Sequence, residues 1–192
     1  MTSIDTVLTS TAVVALAEIG DKTQLLAILL ATRFGKPIPI VAGIFAATMA
    51  NHFLAALVGA QAAAWLDSQW FRMAIGVSFI AMAAWTLVPD SIDEGEGTGA
   101  TGGYGAFLTT AIAFFLVEMG DKTQVATIAL GSQFRDALLV TFATTLGMMI
   151  ANVPAVYLGQ ELLKRIPLAT VRRVAACLFL LIGILVLVQV LA

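Results

Sequence analysis

Reactive side chains are nearly absent from this chain, whose 192 residues include one cysteine and one histidine. A lone Cys177 excludes a disulfide framework and a thiolate metal cluster; set in an apolar run, it reads as a small buried hydrophobe. Charge is scarce as well. Asp, Glu, Lys and Arg make up 11% of the residues, where a soluble domain carries about 25%. The net charge of −2, without any Lys/Arg cluster, argues against a nucleic-acid partner. Hydrocarbon fills the space: 60% of the residues are hydrophobic and the mean hydropathy is +0.98.

Six stretches are long enough to cross a bilayer core, which takes about 20 helical residues. They are 7–32, 38–64, 71–88, 105–130, 137–158 and 170–191. The expected fold class is an all-α membrane protein with six transmembrane helices, with the lipid bilayer as its first partner. The first stretch is not expected to be a cleavable signal peptide, because Asp5 and no Lys or Arg precedes it.

The few charges are concentrated where they are least comfortable. Glu18-Ile19-Gly20-Asp21-Lys22-Thr23-Gln24 recurs 100 positions later as Glu118-Met119-Gly120-Asp121-Lys122-Thr123-Gln124, with one position changed. The apolar flanks, 7–17 and 25–32, are each too short to span at about 1.5 Å per residue. The motif must therefore enter the membrane with them, near mid-depth, and the same holds for 105–117 and 125–130. Ionisable groups there cost roughly 2.5–3.5 kcal/mol each on insertion scales. Four carboxylates and two ammonium groups retained at that cost point to ion movement. On a helix, Glu18, Asp21 and Lys22 project to one side, while Thr23 and Gln24 meet neighbouring helices or complete the site. Gly20 admits either close helix approach or a local break.

The duplication extends beyond the motif. Ile28, Leu30 and Phe34 match Ile128, Leu130 and Phe134; Ala50-Asn51 matches Ala151-Asn152; Arg72-Met73-Ala74 resembles Arg173-Val174-Ala175. Two repeats, 1–88 and 105–192, each hold three spans. Three is odd, so the second repeat enters the membrane upside down, the inverted-repeat plan of many secondary transporters. Such a plan brings the two motifs together at a pseudo-twofold axis. Arg33, Lys36, Lys164, Arg165, Arg172 and Arg173 fall on one side, and Arg72 and Arg135 on the other. The positive-inside rule makes the richer side cytoplasmic and puts both termini outside. The cytoplasmic linker, 89–104, is acidic (Asp90, Asp93, Glu94, Glu96) and rich in glycine; no Lys-Ser/Thr follows, so it reads as a flexible connection rather than a phosphate loop. Trp65, Trp70, Trp85, Tyr104 and Tyr157 are expected in aromatic belts.

If all six motif groups ionise, the cluster carries −2, which one divalent cation or two protons neutralise. Closely spaced carboxylates in a low dielectric resist joint ionisation, so departure of a metal promotes protonation. Lys22 and Lys122 balance charge by pairing with the acids. Oxygen donors suit Mn²⁺, Ca²⁺ and Mg²⁺ better than Zn²⁺ or Cu⁺. The candidate ligands are Glu18, Asp21, Glu118 and Asp121, with Asn51, Asn152, Gln24, Gln124, Thr23 and Thr123 as further oxygen donors. Asn51 and Asn152 are equally suited to binding helices together. His52 has Val153 as its counterpart and reads as a packing or hydrogen-bonding residue. Pro154, where the first repeat has Phe53, frees a backbone carbonyl one turn earlier.

Glu-x-Gly-Asp-Lys-Thr, present twice in a six-span chain, resembles the cation/proton exchangers that include eukaryotic Golgi manganese/calcium transporters and small bacterial manganese exporters. The resemblance covers nearly the whole chain, and both motif copies match. It implies a secondary active transporter, not an enzyme, exporting Mn²⁺ or moving Ca²⁺ in exchange for protons, with no cofactor beyond these ions. Its motif acids are Glu18, Asp21, Glu118 and Asp121. The short N-terminal segment implies a bacterial plasma (inner) membrane. A divalent-cation channel or uniporter using the same acids is the alternative. An intramembrane aspartyl enzyme fits less well, because a lysine adjoins each acid pair; salt-bridged helix glue is the remaining reading. A homo-oligomer is left open.

Overall fold

The computed structural model describes residues 2–65, 68–88, 105–159 and 167–191. Every regular element among them is an α-helix: α1 (Ser3–Glu18), α2 (Lys22–Phe34), α3 (Pro37–Trp65), α4 (Gln69–Thr86), α5 (Ala106–Glu118), α6 (Lys122–Phe134), α7 (Ala137–Leu158) and α8 (Leu168–Leu191). Of these, α3, α7 and α8 are individually long and apolar enough to cross a membrane. The linker 89–104, Tyr104, Lys164, Arg165 and the side chain of Trp65 lie outside the described residues.

The expected single helices at 7–32 and 105–130 are instead helix pairs, α1–α2 and α5–α6, each broken at its motif. Glycine causes the break: Gly20 has φ 82° and Gly120 φ 80°, a left-handed conformation that only glycine adopts without steric cost. The next residue then starts a new helix. Asp21 and Asp121 are N-caps whose side chains accept from the backbone N–H of Thr23 and Thr123, satisfying donors that a helix start leaves orphaned. Glu18 and Asp21 therefore do not share one helical face; they occupy the end of one helix and the start of the next. At the N-terminus of α1, Thr2 and Asp5 form a capping box. The backbone N–H of Thr2 donates to the Asp5 carboxylate and holds its pKa below the usual value.

Packing is reciprocal between the halves. Helix α1 lies on α7 as α5 lies on α3, and α2 meets α7 as α6 meets α3, while α3 packs on α7 and α4 on α8. Phe79 of α4 and Phe179 of α8, 100 positions apart, face each other with ring centroids 6.3 Å apart. The polarity of the bundle is turned inside out. Glu18, Asp21, Glu118, Asp121, Lys122, Asn51, Asn152 and His52 are buried, whereas Phe45, Leu54, Phe107, Phe142, Leu181 and Leu185 are exposed. So large a hydrocarbon exterior suits lipid. Trp70, Trp85 and Tyr157 are also exposed. Cys177 is exposed rather than buried. Helix α8 turns Ala175, Ala176, Phe179, Gly183 and Val186 inward, and position 177 falls on its outer face.

Small residues let α3 and α6 approach to backbone contact. A Cβ at Gly59 would collide with the Ile128 carbonyl oxygen, and one at Gly131 would sit 2.5 Å from that of Ala56. Gly59→Leu is therefore expected to destabilise the bundle by about 1–3 kcal/mol or more, measured as a lower unfolding midpoint in detergent. Gly105→Ala, where no described atom lies within 4 Å of the added carbon, is the matched control and should melt close to the parent.

Candidate ion site at the two helix breaks

The two motifs meet. Lys122 Nζ lies 2.5 Å from Asp21 Oδ1, and Lys22 Nζ lies 3.5 Å from Asp121 Oδ1. Each half thus supplies the ammonium that neutralises the other half's aspartate. Charge taken out of water demands such a partner, since an unpaired buried ion costs several kcal/mol. Glu18 stands within electrostatic reach of Glu118, Asp21 and Asp121, and Glu118 within reach of Asp121, Asp21 and Lys22. Glu18 and Glu118 are the last residues of α1 and α5, so the negative ends of both helix dipoles fall at these acids and favour a cation.

The remaining motif residues divide by role. Gln24 and Gln124 brace the breaks: their amide oxygens accept from the backbone N–H of Gly20 (2.9 Å) and Gly120 (2.7 Å). Gln24 Nε2 then donates to the Ala151 carbonyl of α7 (2.9 Å), and Gln124 Nε2 to Asn51 Oδ1 of α3. Thr123 Oγ1 donates to Glu118 Oε2 at 2.8 Å, whereas Thr23 Oγ1 donates to Asp21 Oδ2 at 3.3 Å. Asn51 has both polar atoms engaged between helices, because its Nδ2 donates to the Phe115 carbonyl (3.3 Å). Asn152 differs. Its Nδ2 donates to Glu18 Oε1 at 3.2 Å, while its Oδ1 is buried without a hydrogen-bond partner among the described residues. Glu18 Oε2 and Glu118 Oε1 share that condition.

All twelve residues singled out in the sequence thus lie in or directly around one polar centre, but they do not form a closed cage. Among the described residues, no three His, Cys, Asp or Glu side chains gather tightly enough to enclose an ion. The acids stand as two Glu–Asp pairs bridged by lysines. The unengaged oxygens of Glu18, Glu118 and Asn152 are the donors best suited to a hard divalent cation. Sequence reasoning missed the bracing role of the glutamines. The signal was present: Gly followed by Asp, twice, is a helix stop followed by an N-cap, and Gln at the third position beyond Asp can turn back over the break.

The family described as "Divalent cation/proton antiporter GDT1" matches residues 6–94 and 106–192. A protein of Vibrio cholerae named "Putative manganese exporter" is 52% identical over 172 residues, covering 89% of this chain and 84% of the relative. The "GDT1-like protein sll0615" of Synechocystis is 28% identical, covering 89% of this chain and 91% of its own length. In Oryza sativa subsp. indica, "GDT1-like protein 3" is 26% identical over 92% of this chain and 71% of its own. No solved structure matches.

Lys122 is only 2% exposed, so removing it takes from the buried Asp21 the ammonium that faces it. Lys122→Met is expected to cost about 3–5 kcal/mol, read as a drop in melting temperature in detergent. Adding Asp21→Asn should restore most of it. A Lys122→Met protein that melts like the parent would strip the pair of any role in stability.

Proposed function

The chain belongs to the GDT1 family of divalent cation/proton antiporters, and on that premise we propose that it exports Mn²⁺ in exchange for protons through the carboxylates of its two motifs. The observation that carries this reading is the crossed pairing of Asp21 with Lys122 and Asp121 with Lys22, beside unengaged oxygens of Glu18 and Glu118. An ammonium holds each aspartate that a divalent cation would claim. The Vibrio relative's printed name supports manganese as the cargo, and an all-oxygen donor set suits Mn²⁺ or Ca²⁺.

In this reading the chain crosses the membrane six times as two inverted three-span repeats. Helices α1–α2 and α5–α6 each make one crossing, and the breaks lie within the membrane. The linker is cytoplasmic and both termini are external in a bacterial inner membrane. Mn²⁺ enters from the cytoplasm and displaces the lysines from Asp21 and Asp121, while Glu18, Glu118 and the Asn152 amide oxygen complete its surroundings. The halves rock, protons from outside add to the carboxylates, and the metal leaves. Four acids and two lysines sum to −2, so one divalent cation and two protons are interchangeable loads.

Energetics set the direction. A charge moving through 100 mV involves about 2.3 kcal/mol, and a divalent ion about twice that. An inside-negative membrane pulls Mn²⁺ inward through any passive path, so export needs the inward proton gradient.

Flux in proteoliposomes tests the proposal. An imposed pH gradient should drive Mn²⁺ against the proton flow. Glu18→Gln and Glu118→Gln should each cut transport by more than the roughly 10–100-fold typical of losing a residue that merely supports a metal ligand. Flux that ignores the pH gradient and follows voltage would instead mark a channel or uniporter.

A further inference from the structure

The two breaks have the same local geometry but unequal surroundings. At the first, the side chain of Leu168, the first residue of α8, covers Gly20: a Cβ there would meet Leu168 Cδ2 at 2.7 Å. At the second, Gly120 is exposed, no described atom lies within 4 Å of the same position, and Met119 is 57% exposed. Ile19, the counterpart of Met119, is only half-buried. The charged pairs follow suit. Lys122, bound to Asp21 beneath the covered break, is 2% exposed; Lys22, bound to Asp121 at the uncovered break, is 18% exposed.

Helix packing carries the same bias. Helix α8 packs on α1 and α4 packs on α6, but the exchanged contacts, α4 on α5 and α8 on α2, are not made to a comparable extent. The α4/α8 pair therefore leans as a unit toward one side of an otherwise reciprocal bundle. Leu168 lies at the end of α8 remote from Val190, whose carbonyl accepts from Gln69 at the start of α4. With the inverted arrangement proposed above, the covered and uncovered breaks face opposite sides of the membrane. Unequal exposure of the two ion pairs, 18% for Lys22 against 2% for Lys122, is what a transporter closed over one pair and open over the other must have.

We propose that Leu168 is the gate of one access route: it seals the site at Gly20, and in this conformation ions and protons reach the carboxylates past Met119 and Gly120. With the orientation proposed above, the sealed route is cytoplasmic and the open one external. Opening the cytoplasmic route requires the α4/α8 pair to tilt and lift Leu168 off Gly20. The proposal rests on the transport reading, but its test separates from it.

The experiment uses the full chain with Cys177→Ser, carrying either Met119→Cys or Ile19→Cys, the one motif position at which the two copies already differ. A charged, membrane-impermeant thiol reagent is applied to each face of oriented proteoliposomes. Met119→Cys should react from the external face, and Ile19→Cys should be protected from both. Leu168→Ala should raise cytoplasmic labelling of Ile19→Cys roughly tenfold, the population shift expected from removing a half-buried leucine's contacts. It should also loosen the coupling of Mn²⁺ flux to the pH gradient, while Leu168→Ile restores both properties. Size-exclusion profiles and melting curves verify that each variant is folded. Ile19→Cys labelling unchanged by Leu168→Ala in a folded protein would overturn the gate, as would Met119→Cys reacting only with lipid-soluble reagents. If pH-driven Mn²⁺ flux persists in those cases, the transport reading stands without the gate.

Discussion

Ionic charge cannot stay unpaired in a medium that does not solvate it, and this requirement organises the molecule. Asp21 finds its counter-charge on Lys122, and Asp121 finds its own on Lys22. Each aspartate is paired with the other motif's lysine, so the charges themselves interlock the two halves. The halves meet through α1 on α7 and α5 on α3, and glycines at the α3/α6 crossing allow the approach. The helix breaks serve the same end. By ending one helix and starting another, Gly20 and Gly120 put carboxylates where capping N–H groups help to hold them, an advantage that an unbroken helix lacks.

The pairing also gives the acids a chemistry. A carboxylate held by a lysine is neutralised but not saturated, and a stronger cation can take the lysine's place. The oxygens of Glu18, Glu118 and Asn152 that lack partners among the described residues provide the remaining attraction. Because the two halves are alike but not identical, the site need not treat its two approaches equally. Asn152 reaches Glu18 while Asn51 is occupied with Gln124, so the amide donors of the two halves have diverged in use.

The sequence was most informative where chemistry was costly. Two copies of an acidic motif amid hydrocarbon located the polar centre, because burying charge without purpose is too expensive to occur twice. The doubled Asn51 and Asn152 were likewise legible as inward-facing residues. The helix breaks were harder to see, since Gly20 in an apolar run is compatible with close packing as well as with a kink; only the backbone conformation decides. Cys177 was misjudged because uniform apolarity along 170–191 hides which face of α8 meets lipid: Val174, Leu181 and Leu185 are as hydrophobic as the residues turned inward. The cover over Gly20 could not be read at all. Leu168 is distant in sequence and chemically ordinary, and its importance comes from where the fold puts it.

Crossed neutralisation also imposes an order on biogenesis. The amino-terminal aspartate emerges from the ribosome about a hundred residues before the lysine that neutralises it. At roughly 5–20 residues per second the delay is on the order of 5–20 s. Throughout that interval the nascent first half carries a carboxylate pair that hydrocarbon will not accept. Until the second half arrives, the first must find its neutralisation elsewhere, in its own Lys22, in protons or in water.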